Sequence, residues 1–437
     1  MARQRTNLDA LWREIELAGS IDAYVDAQLQ EHGFMVQRSA TDNMSASELK
    51  TYKEQLKKEA EERRRLRRES WQAYRSKHIV HLGEGIFWND SYDWDKWDLD
   101  NAEERAAQNE LPPIDTPQKL AELLELTIPQ LRWLSYHREA AKRVHYQRFT
   151  IPKHDGTERA IWAPLPKLKE TQRWILRNIV ERLLVHGSVH GFLAGRSIFS
   201  NAAVHADAKL VLKMDMKDFF PTLTFPRVKG MFRKAGYREQ IATLLALLCT
   251  EPPREEVTHG GEKYYVALGP RCLPQGAPTS PAITNVICMK LDQRLSGYAK
   301  KIGWRYTRYA DDMTFSLPAS HKGPPQTGKL TGMVKRLVAE EGFVVHPKKT
   351  RVARKGARQS VTGLVVNGSE TPRVHRQTRR RLRAAIHNLG QGKPLHEGET
   401  LDTLRGYAAF IAMTNPTEGG ALLAKINALD SDDLSDL

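Results

Sequence analysis

The chain has few cysteines, no long apolar run and a shortage of acidic residues. Its 437 residues include three cysteines, Cys249, Cys272 and Cys288, and no two of them form a CxxC pair. They cannot build a disulfide framework, which points to a reducing cytosol. The longest apolar stretch, Ile241 to Cys249, is already broken by Thr243 and falls far short of a membrane span. The opening MARQRTNLDALWREIEL carries charges where a secretion signal needs apolar residues. A cytoplasmic location with no membrane partner is therefore expected. Acids are the scarce charge: 52 Asp plus Glu face 67 Lys plus Arg, a formal charge of +15. That excess predicts a polyanionic partner, nucleic acid foremost. Hydrophobic residues at 40% supply a sizeable core, and the length predicts two or three structural units.

Residues 1–112 read as a charged, mainly helical extension. Within residues 46–75 the string KEQLKKEAEERRRLRRESW has helical character and clusters Arg63, Arg64, Arg65, Arg67 and Arg68. A mixed-charge helix with few apolar positions is most often a solvated face; the alternative is a basic arm that grips RNA or a partner protein. The Trp- and Asp-rich FWNDSYDWDKWDLDNAEE that follows reads as a loop or docking segment, without the Gly and terminal Glu of a calcium-binding loop. From residue 113 the texture becomes globular. RFTIPKHDGTERAIWAP predicts a hairpin turning at Asp155-Gly156. Residues 166–186 predict a helix carrying Leu168, Trp174, Ile175, Ile179 and Leu183.

Three segments carry chemistry. In KLVLKMDMKDFFP, the alternation of Leu210, Leu212 and Met214 predicts a buried strand ending in Asp215. A carboxylate there needs a cation or hydrogen-bond donors, because unpaired buried charge is costly. In WRYTRYADDMTFSL, two strands are joined by a tight turn at Tyr309-Ala310-Asp311-Asp312. Adjacent acids in such a turn repel unless a cation screens them, and with Asp215 they make an oxygen-rich set suited to Mg²⁺. Two ions so held activate an attacking hydroxyl and stabilise a leaving pyrophosphate. Between them lies LGPRCLPQGAPTSPAITNVICMKLDQRL. Here Gln275-Gly276 marks a loop, Ser280 is placed as an N-cap, Pro281 as the first helical residue, and Ile283, Ile287, Leu291 and Leu295 form an apolar helix face.

A strand-end Asp, a PQG loop with its helix and a YADD hairpin, in that order, resemble the reverse transcriptase family, and within it the bacterial retron reverse transcriptases. The resemblance runs from about residue 115 to 425. Asn201-Ala202-Ala203-Val204-His205 and Val361-Thr362-Gly363 also resemble the NAxxH and VTG boxes of the retron enzymes. It implies an α+β right-hand polymerase: fingers and palm with the catalytic site over 113–320, the end of the palm over 321–370, and a helical thumb with an acidic tail over 371–437. Asp215, Asp311 and Asp312 match the catalytic, metal-holding aspartates, implying two Mg²⁺. Lys153, Arg159 and Gln275 match dNTP contacts, and Phe220 the steric gate that selects deoxynucleotides. Lys349 matches a lysine near the pyrophosphate, with Lys348 an equal candidate.

The C-terminal third repeats the basic bias. Between Gly342 and His396 there are thirteen Lys/Arg and one acid, Glu370. HRQTRRRLRAAIHNLG predicts a helix with Leu382, Ala385, Ile386 and Leu389 on one face and Gly390 as its stop. Arg376, Arg379, Arg380 and Arg383 then present cations that phosphates would answer. The resemblance implies that this thumb grips the template–primer. It also implies RNA binding through Asn201, His205, Val361, Thr362 and Gly363. The partners it implies are a cognate structured non-coding RNA and its cDNA, copied from a 2′-OH into branched RNA–DNA, dNTPs, and an effector protein in anti-phage defence within the bacterial cytoplasm. The alternatives are another bacterial reverse transcriptase, of group II intron or diversity-generating type, or a catalytically idle RNA-binding scaffold.

Overall fold

A computed structural model describes residues 7–89, 96–152, 156, 158–368, 370–396 and 398–432. Among these, one antiparallel sheet organises the centre of the chain. Strands β1 (Ala208–Lys217), β2 (Arg305–Tyr309), β3 (Asp312–Pro318), β4 (Val344–Val345) and β5 (Arg351–Arg354) pair in the order β5–β1–β3–β2, with β4 on the C-terminal end of β1. The predicted alternation in β1 is realised on two fronts. Leu210, Leu212, Met214 and Met216 enter the main hydrophobic core, while Val211 faces a second, smaller one. The strand runs two residues past Asp215, because Met216 and Lys217 pair with Val345 and Val344. The apolar run ending at Cys249 forms helix Glu239–Cys249, buried along its whole length.

The fingers hairpin pairs Tyr146–Pro152 with Glu158–Pro164. The expected helix after it stops early, at Asn178, and a short 3₁₀ turn over Val180–Arg182 completes the apolar stretch. The long apolar face after the PQG loop is carried by two abutting helices, Ser280–Ile287 and Met289–Lys301. Ser280 does not cap the first of them. Its hydroxyl donates to Pro274 O at 2.8 Å and closes the loop, while Thr279 takes the cap position.

At the N-terminus, α1 (Leu8–Ala18), α2 (Ile21–Glu31) and α3 (Ala46–Lys77) pack around a core of their own that includes Trp12, Val25, Leu29 and Leu66. The arginines of α3 are largely answered inside this unit. Arg63 meets Asp26 at 2.7 Å, Arg67 meets Asp22 at 3.0 Å, and Arg65 pairs with Glu62 and Glu69. The bundle ends near residue 78, short of the expected boundary at 112. Ile79, Leu82 and Leu111 belong to the main core, and helix Ala102–Gln108 packs on helix Phe225–Ala235. Trp88 donates to Ile79 O, so the Trp-rich segment folds onto the polymerase body; its residues 90–95 lie outside the described ones.

The C-terminal helices α4 (Arg376–Leu389), α5 (Leu401–Ala412) and α6 (Pro416–Asp432) share the second core with Val361, Leu364 and Val366. Leu382, Ala385 and Ile386 are buried as the periodicity predicts. Gly390 ends α4 in a right-handed conformation, and the left-handed residue is Gly392, at φ 71°.

Candidate active site

Asp215 and Asp312 are direct register partners across β1 and β3, and Asp311 sits in the two-residue turn between β2 and β3. Backbone bonds lock these elements: Met216 N donates to Asp311 O at 3.1 Å and His346 N to Asp215 O at 2.7 Å. Ala310, preceding the acids, adopts φ 55°, which is unfavourable for a residue with a side chain and so must be held by its surroundings.

The holding group is Arg308. Its side chain and that of Asp292 are both fully buried, and they form a two-pronged pair in which Nε donates at 2.9 Å and a terminal nitrogen at 2.7 Å. The other terminal nitrogen donates to Ala310 O at 3.0 Å and to Asn285 Oδ1 at 3.1 Å. Asn285 in turn donates to Gly191 O at 2.9 Å, and Tyr306 donates its hydroxyl to Asp292. Gly191 lies so close that a Cβ would come within 2.8 Å of Ala310 N. These residues were not singled out in the sequence, although an arginine inside an otherwise buried strand, beside an acidic turn, is the signal that marks Arg308.

The electrostatics follow from packing acids together. Burial and then the neighbouring Asp215 push the Asp311 carboxyl up to about 6. Burial also raises Asp312, with Lys213 opposing. Of the two lysines, Lys349 stands against the acids: its Nζ lies 3.0 and 3.1 Å from the two oxygens of Asp215, whereas the backbone N–H of Lys348 donates to His346 Nδ1. Among the described residues no three carboxylate, imidazole or thiolate groups close into a ready metal cage. The donor set nevertheless fits a hard divalent cation. Three carboxylates act on one another with one ammonium against Asp215, and the raised Asp311 reflects burial first and then repulsion from Asp215, which such an ion would offset.

The PQG loop is tied to the fingers hairpin, with Trp162 N donating to Gln275 O at 2.7 Å. Gly276, at φ 117°, has no room for a side chain: a Cβ would lie 2.8 Å from both Ile161 Cγ2 and Trp162 O. Arg159 is exposed on that hairpin, and Lys153 lies outside the described residues. Phe219 is the core aromatic, while Phe220 is half-buried beside it with ring centroids 5.7 Å apart.

The two short boxes meet each other. Asn201 donates to Thr362 Oγ1 at 3.4 Å, and Thr362 donates to Ile198 O. His205 is fully buried and bridges Thr307 of β2 and Ser316 of β3, each at 2.7 Å. Asn201, His205 and Val361 are therefore interior and present no surface to RNA, a correction to the expectation; Thr362 and Gly363 retain exposure. On the thumb, Arg379 and Arg383 both converge on Glu418, leaving Arg376 and Arg380 exposed and without an ion pair among the described residues.

A right-hand palm with paired acids defines a nucleotide polymerase, and the comparisons place it. The model for "Reverse transcriptase (RNA-dependent DNA polymerase)" matches residues 151–380, just over half the chain. The chain is 50% identical to the Retron Mx162 reverse transcriptase of Myxococcus xanthus, over 96% of this chain and 88% of that protein. It is 40% identical to the Retron Mx65 reverse transcriptase of the same organism, over 74% of each. To the Retron Ec86 reverse transcriptase of Escherichia coli it is 32% identical, over 73% of this chain and 91% of that one. The chain belongs to the reverse transcriptase family, among the retron enzymes, and is an RNA-directed DNA polymerase. No helix among the described residues is long and apolar enough to cross a membrane.

Proposed function

We propose that this enzyme binds a cognate structured non-coding RNA in the bacterial cytoplasm, copies part of it from a 2′-hydroxyl into branched RNA–DNA, and serves anti-phage defence with an effector protein. The observation that supports the chemistry best is the pairing of Asp215 with Asp312 across β1 and β3, with Asp311 at the turn and Lys349 against Asp215. Asp215, Asp311 and Asp312 would hold two Mg²⁺, which when bound polarise the reacting phosphate and lower the pKa of the attacking hydroxyl. The chain's own residues bind and orient. Lys349 would release Asp215 as the ions enter and turn to the pyrophosphate. Arg159, Lys153 and Gln275 would hold the triphosphate and base, and Phe220 would exclude a ribose 2′-OH. Arg376, Arg380, Thr362 and Gly363 would meet RNA.

Protein purified with its RNA, then given dNTPs and Mg²⁺, should make cDNA whose mobility shifts on debranching. Asp311→Asn should lower the yield at least about a hundredfold. Wild-type protein that makes no cDNA would favour the idle scaffold. Residues 8–78, as a self-contained bundle, are the candidate RNA- or effector-docking accessory. Removing residues 1–77 should spare extension of an exogenous primed template while weakening RNA retention or plaque protection; unchanged retention and protection would sink that role.

A further inference from the structure

An unanswered basic and aromatic surface lies where the N-terminal bundle meets the fingers. Helix Ile128–Ser135 and the residues after it bring Arg132, Trp133, Tyr136 and Arg138 together. The guanidinium carbons of Arg132 and Arg138 lie 4.8 and 4.9 Å from the centroid of the Tyr136 ring, and that of Arg138 lies 6.0 Å from Trp133. Trp133 is 43% exposed although large and apolar. His145 fixes it from behind, edge-on at 5.1 Å, with its Nε2 2.9 Å from Trp133 O. Arg75, from the end of α3, adds a third guanidinium near enough to Arg132 to oppose its charge.

Among the described residues no carboxylate lies within ion-pair distance of Arg75, Arg132 or Arg138, in contrast to the arginines of α3 further along. The buried carboxylate in the neighbouring pocket, Glu251, is already taken by Arg254 at 2.7 Å and Arg271 at 3.5 Å. Adjacent His137 is pushed down to about 4 by burial first and then by Arg271 and Arg254, the two guanidiniums on Glu251. Arg132 spends one N–H on His81 O, at 3.0 Å, and keeps the terminal nitrogens free.

We propose that this surface, built on Arg132, Trp133, Tyr136 and Arg138 with Arg75 beside it, binds a single-stranded segment of RNA outside the polymerase cleft. The inference rests on the RNA-binding reading above and gives it a location. Free guanidinium groups match phosphates, and an exposed indole beside guanidinium planes matches an unstacked base. A duplex hides its base faces, so a single strand uses both halves of the surface. An acidic protein segment would satisfy the charges but leave the ring faces without a role.

The test uses the full chain and a fluorescein-labelled mixed-sequence oligoribonucleotide of about 12 nucleotides, read by anisotropy across a salt series. Arg132→Glu with Arg138→Glu should weaken binding at least about tenfold and make the log–log salt slope shallower by about 1.4, as expected for two lost phosphates on a single strand. Trp133→Ala should weaken it at least about fivefold with little change in slope. Both variants should extend an annealed exogenous template at the wild-type kcat. Wild-type affinity and slope in the double variant overturn the proposal. So does an acidic peptide of matched length that binds wild type but not the variant while oligoribonucleotide affinity stays the same. Wild-type protein that binds the oligonucleotide here yet makes no cDNA supports the surface and overturns only the retron reading.

Discussion

Two guanidinium–carboxylate pairs with the same 2.7 Å contact do different things in the palm and the thumb. Arg308 and Asp292 are fully buried, and their remaining hydrogen-bonding groups reach Tyr306, Asn285 and the backbone of the catalytic turn. Arg379 and Arg383 share Glu418 at the surface, with the arginine side chains 33% and 56% exposed. In the palm, the pair holds the turn that carries Asp311, because removal of either charged partner strands a buried charge. In the thumb, the same contact mainly keeps two cations occupied, since water can replace the carboxylate at either arginine at little cost. Distance alone does not rank such pairs; burial and the number of further bonds do.

The comparison breaks most visibly if Arg308 is removed. Arg308→Met leaves Asp292 charged, buried and alone, and chemical denaturation should show a loss of about 3–5 kcal/mol. Pairing it with Asp292→Leu removes the stranded charge and should recover most of that stability. Polymerisation should stay impaired in the double variant, because the side-chain bond from Arg308 to Ala310 O, which helps hold Ala310 at its left-handed φ of 55°, is then missing. Full activity in a stable double variant would show that the turn holds itself. Arg308→Lys preserves the charge but loses the fork, so kcat should fall more than stability does.

Local chemistry was legible in the sequence where the decisive contacts are short in sequence. The YADD hairpin, the β1 alternation and the apolar face of α4 depend on period and neighbours; the hairpin appears as read, β1 runs on past Asp215 to Lys217, and the α4 face buries Leu382, Ala385 and Ile386 but not Leu389. The Arg308 network joins residues 191, 285, 292, 308 and 310, so no local pattern displays it. Ser280 has the composition of an N-cap, yet a tertiary acceptor, Pro274 O, outcompetes the helix end. A boundary is expected at residue 112, but Leu111 and Ile114 on either side of Pro112-Pro113 are both buried in one core, and Tyr237 donates to Pro112 O at 3.2 Å. The NAxxH and VTG strings were visible as strings. Their burial was not, because it arises from packing between segments about 160 residues apart.

A smaller effect tests the interior side through pH. Burial, then Arg305 and His190, hold the imidazole of His205 neutral, with its pKa pushed down to about 3. The unfolded chain takes up that proton near pH 6.5, so the stability His205 contributes is intact above that value. It declines as pH falls toward the folded pKa. At pH 5 the loss from this residue should be about 2 kcal/mol, and His205→Gln should flatten that part of the stability–pH curve. A slope unchanged by the substitution would mean that other groups carry the acid sensitivity; His190, also pushed down to about 4, is the first to examine.

The smallest effect belongs to the thumb, and it should appear in binding rather than in stability. Glu418→Gln removes the shared carboxylate but keeps a polar side chain within reach of Asn415. Melting should move by an amount equivalent to no more than about 1 kcal/mol, because both arginines turn to solvent. RNA affinity should rise, and its salt dependence should steepen by about 0.7 for each arginine that gains a phosphate. That outcome would show that Glu418 restrains a thumb whose basic excess is larger than its free arginines, Arg376 and Arg380, indicate. A stability loss of several kcal/mol with no gain in affinity would instead place the thumb pair with the palm pair, as a structural contact that happens to lie near the surface.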